Sequence, residues 1–226
     1  MLDLLIFVVL PYISIALALV VTPYRYISGR LTWSAYSTQF LERKSLFWGS
    51  VPWHYGVILL LAGHALGFLF PSAVQSLLSS FQRLIVMESL ALGLGLLTLL
   101  GTAVLLYRRV FTSIRTVSNF ADYIIVLLVL NQAITGVYMG LFARWGMEWY
   151  LHTAVPWLYS LLTFQPNVAL VSGLPFVFKI HVLGAFLILA FLPFTKFVHF
   201  LFLPLGFLFD PPILYRWIKD RRAKKV

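Results

Sequence analysis

Five histidines stand in this chain, and four of them lie inside long apolar stretches. His54 and His64 are ten residues apart; His181 and His199 are eighteen apart. An ionisable side chain inside an apolar span is costly and points to function by default. At 1.5 Å of rise per residue, the first pair differs in depth by about 15 Å and the second by about 27 Å. Eighteen residues make five whole helical turns, so His181 and His199 project from one face. Ten residues fall about 80° short of three turns, which splays His54 and His64. Pro193 lies between the second pair and would bend its helix. Three chemistries suit imidazoles so placed. Facing pairs on antiparallel helices would ligate two b-type haems. Single imidazoles would be structural or form a proton relay, although spans two and five hold no carboxylate between their histidines. A metal ion is the third, although a zinc site needs three or four ligands together.

The elements that carry these residues follow from composition. Of 226 residues, 61% are hydrophobic and 11% charged, with a mean hydropathy of +0.93. Soluble chains carry about 25% charged residues, so an ordinary soluble domain, a disordered chain and a secreted disulfide module are excluded. The absence of cysteine removes disulfides, thiolate zinc sites, iron–sulfur ligation and covalent haem attachment by this chain. The net charge of +10 lies between apolar runs, where it faces anionic lipid rather than nucleic acid.

A spanning helix needs about 20 apolar residues, and five stretches qualify: 4–22, 54–72, 85–107, 121–141 and 179–206. The first has no basic n-region and no small-residue cleavage site, so it reads as a retained anchor. Fourteen Lys and Arg fall on one side of this arrangement, and three, Arg83, Arg144 and Lys179, on the other. That asymmetry puts the N-terminus outside and the C-terminus in the cytoplasm. The expected fold is an all-α membrane protein, a five-transmembrane-helix bundle forming a single integral-membrane domain over 1–226. Segment 142–178, with Trp145, Trp149, Tyr150, Trp157 and Tyr159, reads as an outer interfacial helix with an aromatic belt.

With this topology spans two and five are antiparallel. His54 and His199 then share the cytoplasmic end, and His64 and His181 the outer end. Gly56, Gly63 and Gly184 flank the histidines and either let a porphyrin approach the backbone or close-pack helices. Arg109 (with Arg108) and Lys196 suit the propionates of an inner haem, and Lys179 those of an outer one; snorkelling to headgroups is the plainer role. His152 reads as an interfacial surface residue, and Asn131 and Gln132 as buried amides bonding between helices.

At three places the residues themselves are familiar. WSAYSTQFLERKSLFWGSVPWHYGVILLLAGHALGFLFP (33–71), LLYRRVF (105–111) and FKIHVLGAFLILAFLPFTKFVHFLFLP (178–204) closely resemble the gamma subunit of respiratory nitrate reductase. Both histidine spacings match that family's pattern. The resemblance implies a dihaem cytochrome b in the cell inner (plasma) membrane, with haem iron held by His64 and His181 (distal) and by His54 and His199 (proximal). It implies oxidation of quinol, menaquinol or ubiquinol, near the outer face, with Arg83 and Gly63 as the quinol-site candidates. Arg83 cannot accept a proton, so that task falls to a propionate, a carbonyl, water or Glu88. Electrons would leave to an iron–sulfur (beta) subunit and then to a molybdenum-containing catalytic (alpha) subunit for nitrate reduction. The basic tail YRWIKDRRAKKV would dock that partner or bind lipid. Two alternatives stand beside this reading. One is a related dihaem cytochrome serving a sulfite- or heterodisulfide-type partner or nitrite oxidation. The other is a non-redox membrane protein.

Overall fold

Backbone amides that meet no water must pair within their own segment, and long apolar runs therefore wind into helices. The computed structural model describes residues 1–28, 41–143 and 145–197, and among these every regular element is helical. They are α1 (Leu2–Ser28), α2 (Leu46–Leu69), α3 (Pro71–Leu78), α4 (Phe81–Phe111) and α5 (Phe120–Phe142). After them come α6 (146–162), α7 (Ala169–Ser172) and α8 (Phe176–Phe191). Five of these, α1, α2, α4, α5 and α8, are long and apolar enough to cross a membrane.

Helix ends follow local chemistry. Phe70 leaves the helical region at φ −132°, and Pro71 opens α3 at a position that needs no amide hydrogen. Asn119 and Asp122 form a reciprocal capping box that starts α5. Trp145 takes a left-handed conformation, φ 67°, which turns the chain into α6.

The spans begin and end differently from the hydropathy reading. α2 starts eight residues before the expected 54, which puts His54 more than two turns inside the helix. The larger departure is at the last span. Instead of one helix over 179–206, α8 stops at Phe191. A 3₁₀ turn follows over Leu192–Phe194, then an extended Thr195 (φ −118°, ψ 170°). Pro193 has no amide hydrogen to continue the helix. The five-turn argument that put His181 and His199 on one face therefore fails beyond Phe191. His199 itself, with the rest of 198–226, lies outside the described residues.

α4 packs on α2 and α5, and α8 on α5 and α1. The helices thus form a row, α2–α4–α5–α8–α1, in which α2 and α8 share no extended contact among the described residues. The α2–α4 contact is backbone to backbone. A methyl on Gly101 would lie 2.7 Å from the Trp53 amide nitrogen and 2.8 Å from the Gly49 carbonyl; one on Gly56 would lie 2.8 Å from the Leu94 carbonyl. Small residues let the two helices touch closely enough for dispersion to hold them, as membrane helices require.

One end of the bundle is covered by α6 and α7, and Phe7, Trp157, Leu161, Val171 and Val182 form its apolar core. A helix is present within 142–178, as α6. Trp157 departs from the belt role: it is buried, ring edge to Phe7 at 5.4 Å, with its indole N–H donated to the Phe7 carbonyl at 3.1 Å. At the opposite end, buried Arg108 bonds Glu42 at 2.6 Å. There too, buried Asp122 receives Lys196 at 2.8 Å and Arg109 at 3.4 Å.

Candidate functional site

The histidines are prepared in a uniform way. His54 Nδ1 lies 2.7 Å from the Ser50 carbonyl, one turn back on α2, with the Ser50 hydroxyl at 3.2 Å. His64 Nδ1 lies 2.8 Å from the Leu60 carbonyl, again one turn back. A carbonyl oxygen can only accept, so Nδ1 carries the hydrogen in both rings, and Nε2 keeps its lone pair in the neutral imidazole. His181, on α8, sets its Nδ1 2.8 Å from the Thr135 hydroxyl of α5. Among the described residues, no hydrogen bond engages Nε2 of any of the three. A metal-ligating histidine has this form, one ring nitrogen anchored to a second group and the other offered to the metal.

His64 on α2 and His181 on α8 lie within electrostatic range of each other. Both helices are held by third parties at this level. Tyr150 of α6 donates its hydroxyl to the His64 carbonyl at 2.7 Å, and its ring stands edge-on to the imidazole at 5.2 Å. At the other end, the Trp53 ring meets His54 at 4.8 Å and Phe197 at 5.5 Å. His54 also borders an open cavity of about 470 Å³ with Ser50, Val51, Tyr55, Ile58 and Leu59. Among the described residues no three His, Asp or Glu side chains converge as an ion site would need.

The flanking glycines divide by what they face. Gly56 is committed to α4, so it makes room for a helix and not for a macrocycle. A methyl on Gly184 would lie 2.8 Å from the Asn131 amide nitrogen and 2.9 Å from the Gln132 amide oxygen on α5, whereas Gly63 faces open space. The Gln132 oxygen is buried with no hydrogen-bond partner among the described residues.

The cations nominated for propionates each have a carboxylate inside the chain. Lys179 holds Asp3 at 2.7 Å, while Lys196 and Arg109 share Asp122. Arg83 is exposed, bonded to the Ser79 hydroxyl at 2.9 Å, and borders a shallow groove of about 200 Å³ with Leu77, Gln82, Val86 and Met87. Glu88, a turn and a half further along α4, accepts the Met147 amide hydrogen at 2.8 Å and so ties α6 to α4. His152 is on the surface, 3.1 Å from Glu148. Thr135 and the anchoring role of Tyr150 were not apparent from sequence. A threonine four residues after Asn131 in an apolar span was the available signal for the first.

The arrangement has relatives. The family model for the nitrate reductase gamma subunit matches residues 3–218. The nitrate reductase gamma chain of Bacillus subtilis (strain 168) is 30% identical over 214 residues, covering 92% of this chain and 95% of that one. The respiratory nitrate reductase 1 gamma chain of Escherichia coli (strain K12) is 32% identical over 207 residues, 89% of this chain and 92% of the relative. The nitrate reductase-like protein NarX of Mycobacterium tuberculosis (strain CDC 1551 / Oshkosh) is 28% identical over 215 residues, and this chain spans 33% of its length. A match across nearly the whole length, over a bundle of membrane-length helices, establishes that the chain belongs to the nitrate reductase gamma subunit family.

Proposed function

We propose that this chain is the membrane cytochrome b subunit of a respiratory nitrate reductase, oxidising quinol near the outer face of the cell membrane. The observation that carries the reading is the state of the imidazoles on two helices that do not pack on each other. Their Nδ1 atoms are committed to acceptors, which leaves each Nε2 lone pair to offer to a metal.

Two b-type haems, when bound, supply one-electron carriers at two depths between a two-electron quinol and the soluble subunits. His64 and His181 would hold the distal group, and His54, with His199, the proximal one. The chain's own residues do the rest. Gly63, beside His64, leaves a side-chain-free surface against which a flat ring can lie. Arg83, fixed to Ser79, offers guanidinium hydrogens to a quinol oxygen and stabilises its anion. Glu88 has one carboxylate oxygen on the Met147 amide, which leaves the other as a proton acceptor close to the outer end of α4. The Tyr150 hydroxyl holds α6 against α2 at the His64 level.

The charge asymmetry supports an N-terminus outside and a basic face towards the cytoplasm. There an iron–sulfur beta subunit, and beyond it a molybdenum alpha subunit, would take the electrons. A dithionite-reduced minus oxidised spectrum of the purified chain, with a pyridine haemochrome count, tests the reading. Two haems b per chain are expected, and a carefully extracted chain with none would overturn it.

A further inference from the structure

We propose that Thr135 is a positioning residue that fixes the tautomer and donor strength of the His181 imidazole and so sets the potential of the distal haem; this rests on the haem reading above. The Thr135 hydroxyl lies 2.7 Å from the Asn131 carbonyl, 3.2 Å from the Gln132 carbonyl and 2.8 Å from His181 Nδ1. A hydroxyl has one hydrogen to give. Both carbonyls can only accept, so that hydrogen goes to the backbone one turn back, as helical threonines commonly bond. The oxygen lone pair is then left to accept from Nδ1–H. His181 is held in the tautomer that presents Nε2.

His54 and His64 use backbone carbonyls of their own helix, which no substitution removes. His181 depends instead on a side chain from the neighbouring span, in a part-buried contact whose Thr135 is 6% exposed. In such surroundings a hydrogen bond is stronger than in water. An acceptor on Nδ1–H raises the basicity of the ligating nitrogen, which favours the ferric state and holds the potential down. A hydroxyl oxygen is a weaker acceptor than a carbonyl, so the two imidazoles that would hold this haem differ in donor strength.

The test compares Thr135→Val and Thr135→Ser in the full chain, assembled with its partner subunits in membranes. Potentials come from redox titration, and the ferric low-spin signals from electron paramagnetic resonance. His64→Ala identifies which signal is distal. Thr135→Val is expected to raise the distal potential and move its low-spin signal, or to lose that haem, while the proximal signal stays put. Thr135→Ser keeps the hydroxyl and is expected to match the wild type. The proposal is overturned by a Thr135→Val protein with unchanged distal potential and signal. It is equally overturned by a Thr135→Ser protein that behaves like Thr135→Val, since the methyl would then be what matters. Wild-type membranes without haem would instead end the haem reading itself.

Discussion

Tyr150 and His64 are joined twice, by a 2.7 Å hydrogen bond from the phenol to the histidine carbonyl and by an edge-to-face contact of the two rings. One turn on, Tyr159 repeats the device on the Phe68 carbonyl at 2.6 Å. Phe68 lies in the last turn of α2, where carbonyls have no helical donor left. α6 is thereby fastened to the end of the helix that carries two of the histidines. Burial pushes the Tyr150 phenol up to about 12, so it stays a donor at any working pH.

Removing that hydroxyl tests the fastening. Tyr150→Phe should cost about 1 kcal/mol, the net worth of one hydrogen bond. Tyr150→Ala, which also empties the space against Gly67, should cost about 3 kcal/mol. Thermal unfolding in detergent measures both.

The pairing of His64 with His181 makes a selective prediction. His64→Ala should remove one haem and abolish quinol-driven reduction, while the other haem remains reducible by dithionite. Spectra recorded with each reductant separate the cases, and retention of both haems would refute the pairing.

Gly63 and Gly101 should respond differently to the same added methyl. Gly101→Ala drives a methyl into the Trp53 amide and should lower stability by about 1–3 kcal/mol, as overpacking does. Gly63→Ala meets open space, so stability should change by less than about 0.5 kcal/mol. If the ring of the quinol lies against this surface, the same substitution should slow quinol oxidation. Unfolding and turnover measured on both variants check the pair.

The Glu42–Arg108 pair predicts a pH profile. The Arg108 guanidinium, bonded at 2.6 Å, lowers the Glu42 carboxyl from 4.5 to about 2, helped by the Ser45 amide. A carboxylate held below its unfolded value stabilises the fold fully above pH 4.5, and the contribution fades as pH falls through about 2. Stability measured between pH 6 and 3 should therefore fall less steeply in Glu42→Gln than in the wild type. Equal slopes would mean that the pair contributes nothing.

Much of this was legible because the bilayer makes strong demands on sequence. Length and hydropathy locate all five spans, and the interfacial helix follows from the tryptophans and tyrosines of 142–178. Boundaries were less legible. His54 was placed at a helix start, yet the backbone is helical from Leu46 and continues through Pro52. The break at Leu192–Thr195 was visible as a proline, but hydropathy stays high across it and hid its extent. Gly56 and Gly63 look alike in sequence; which one faces α4 depends on helix rotation, a tertiary property. Thr135 was overlooked for the same reason, since its partner is 46 residues away on another span.

The seating of α1 bears on biogenesis. Its packing partners are α8 and the turn after it, its Asp3 holds Lys179, and its Phe7 fills the pocket around Trp157. α1 thus completes its seat only when α8, well over a hundred residues later in the chain, has been made. A chain cut short before residue 176 would leave it only the Trp157 side of that seat, without α8 or the Lys179 partner of Asp3. Quality-control proteases that recognise unassembled helices would find such truncated chains by α1, far from the site of the cut.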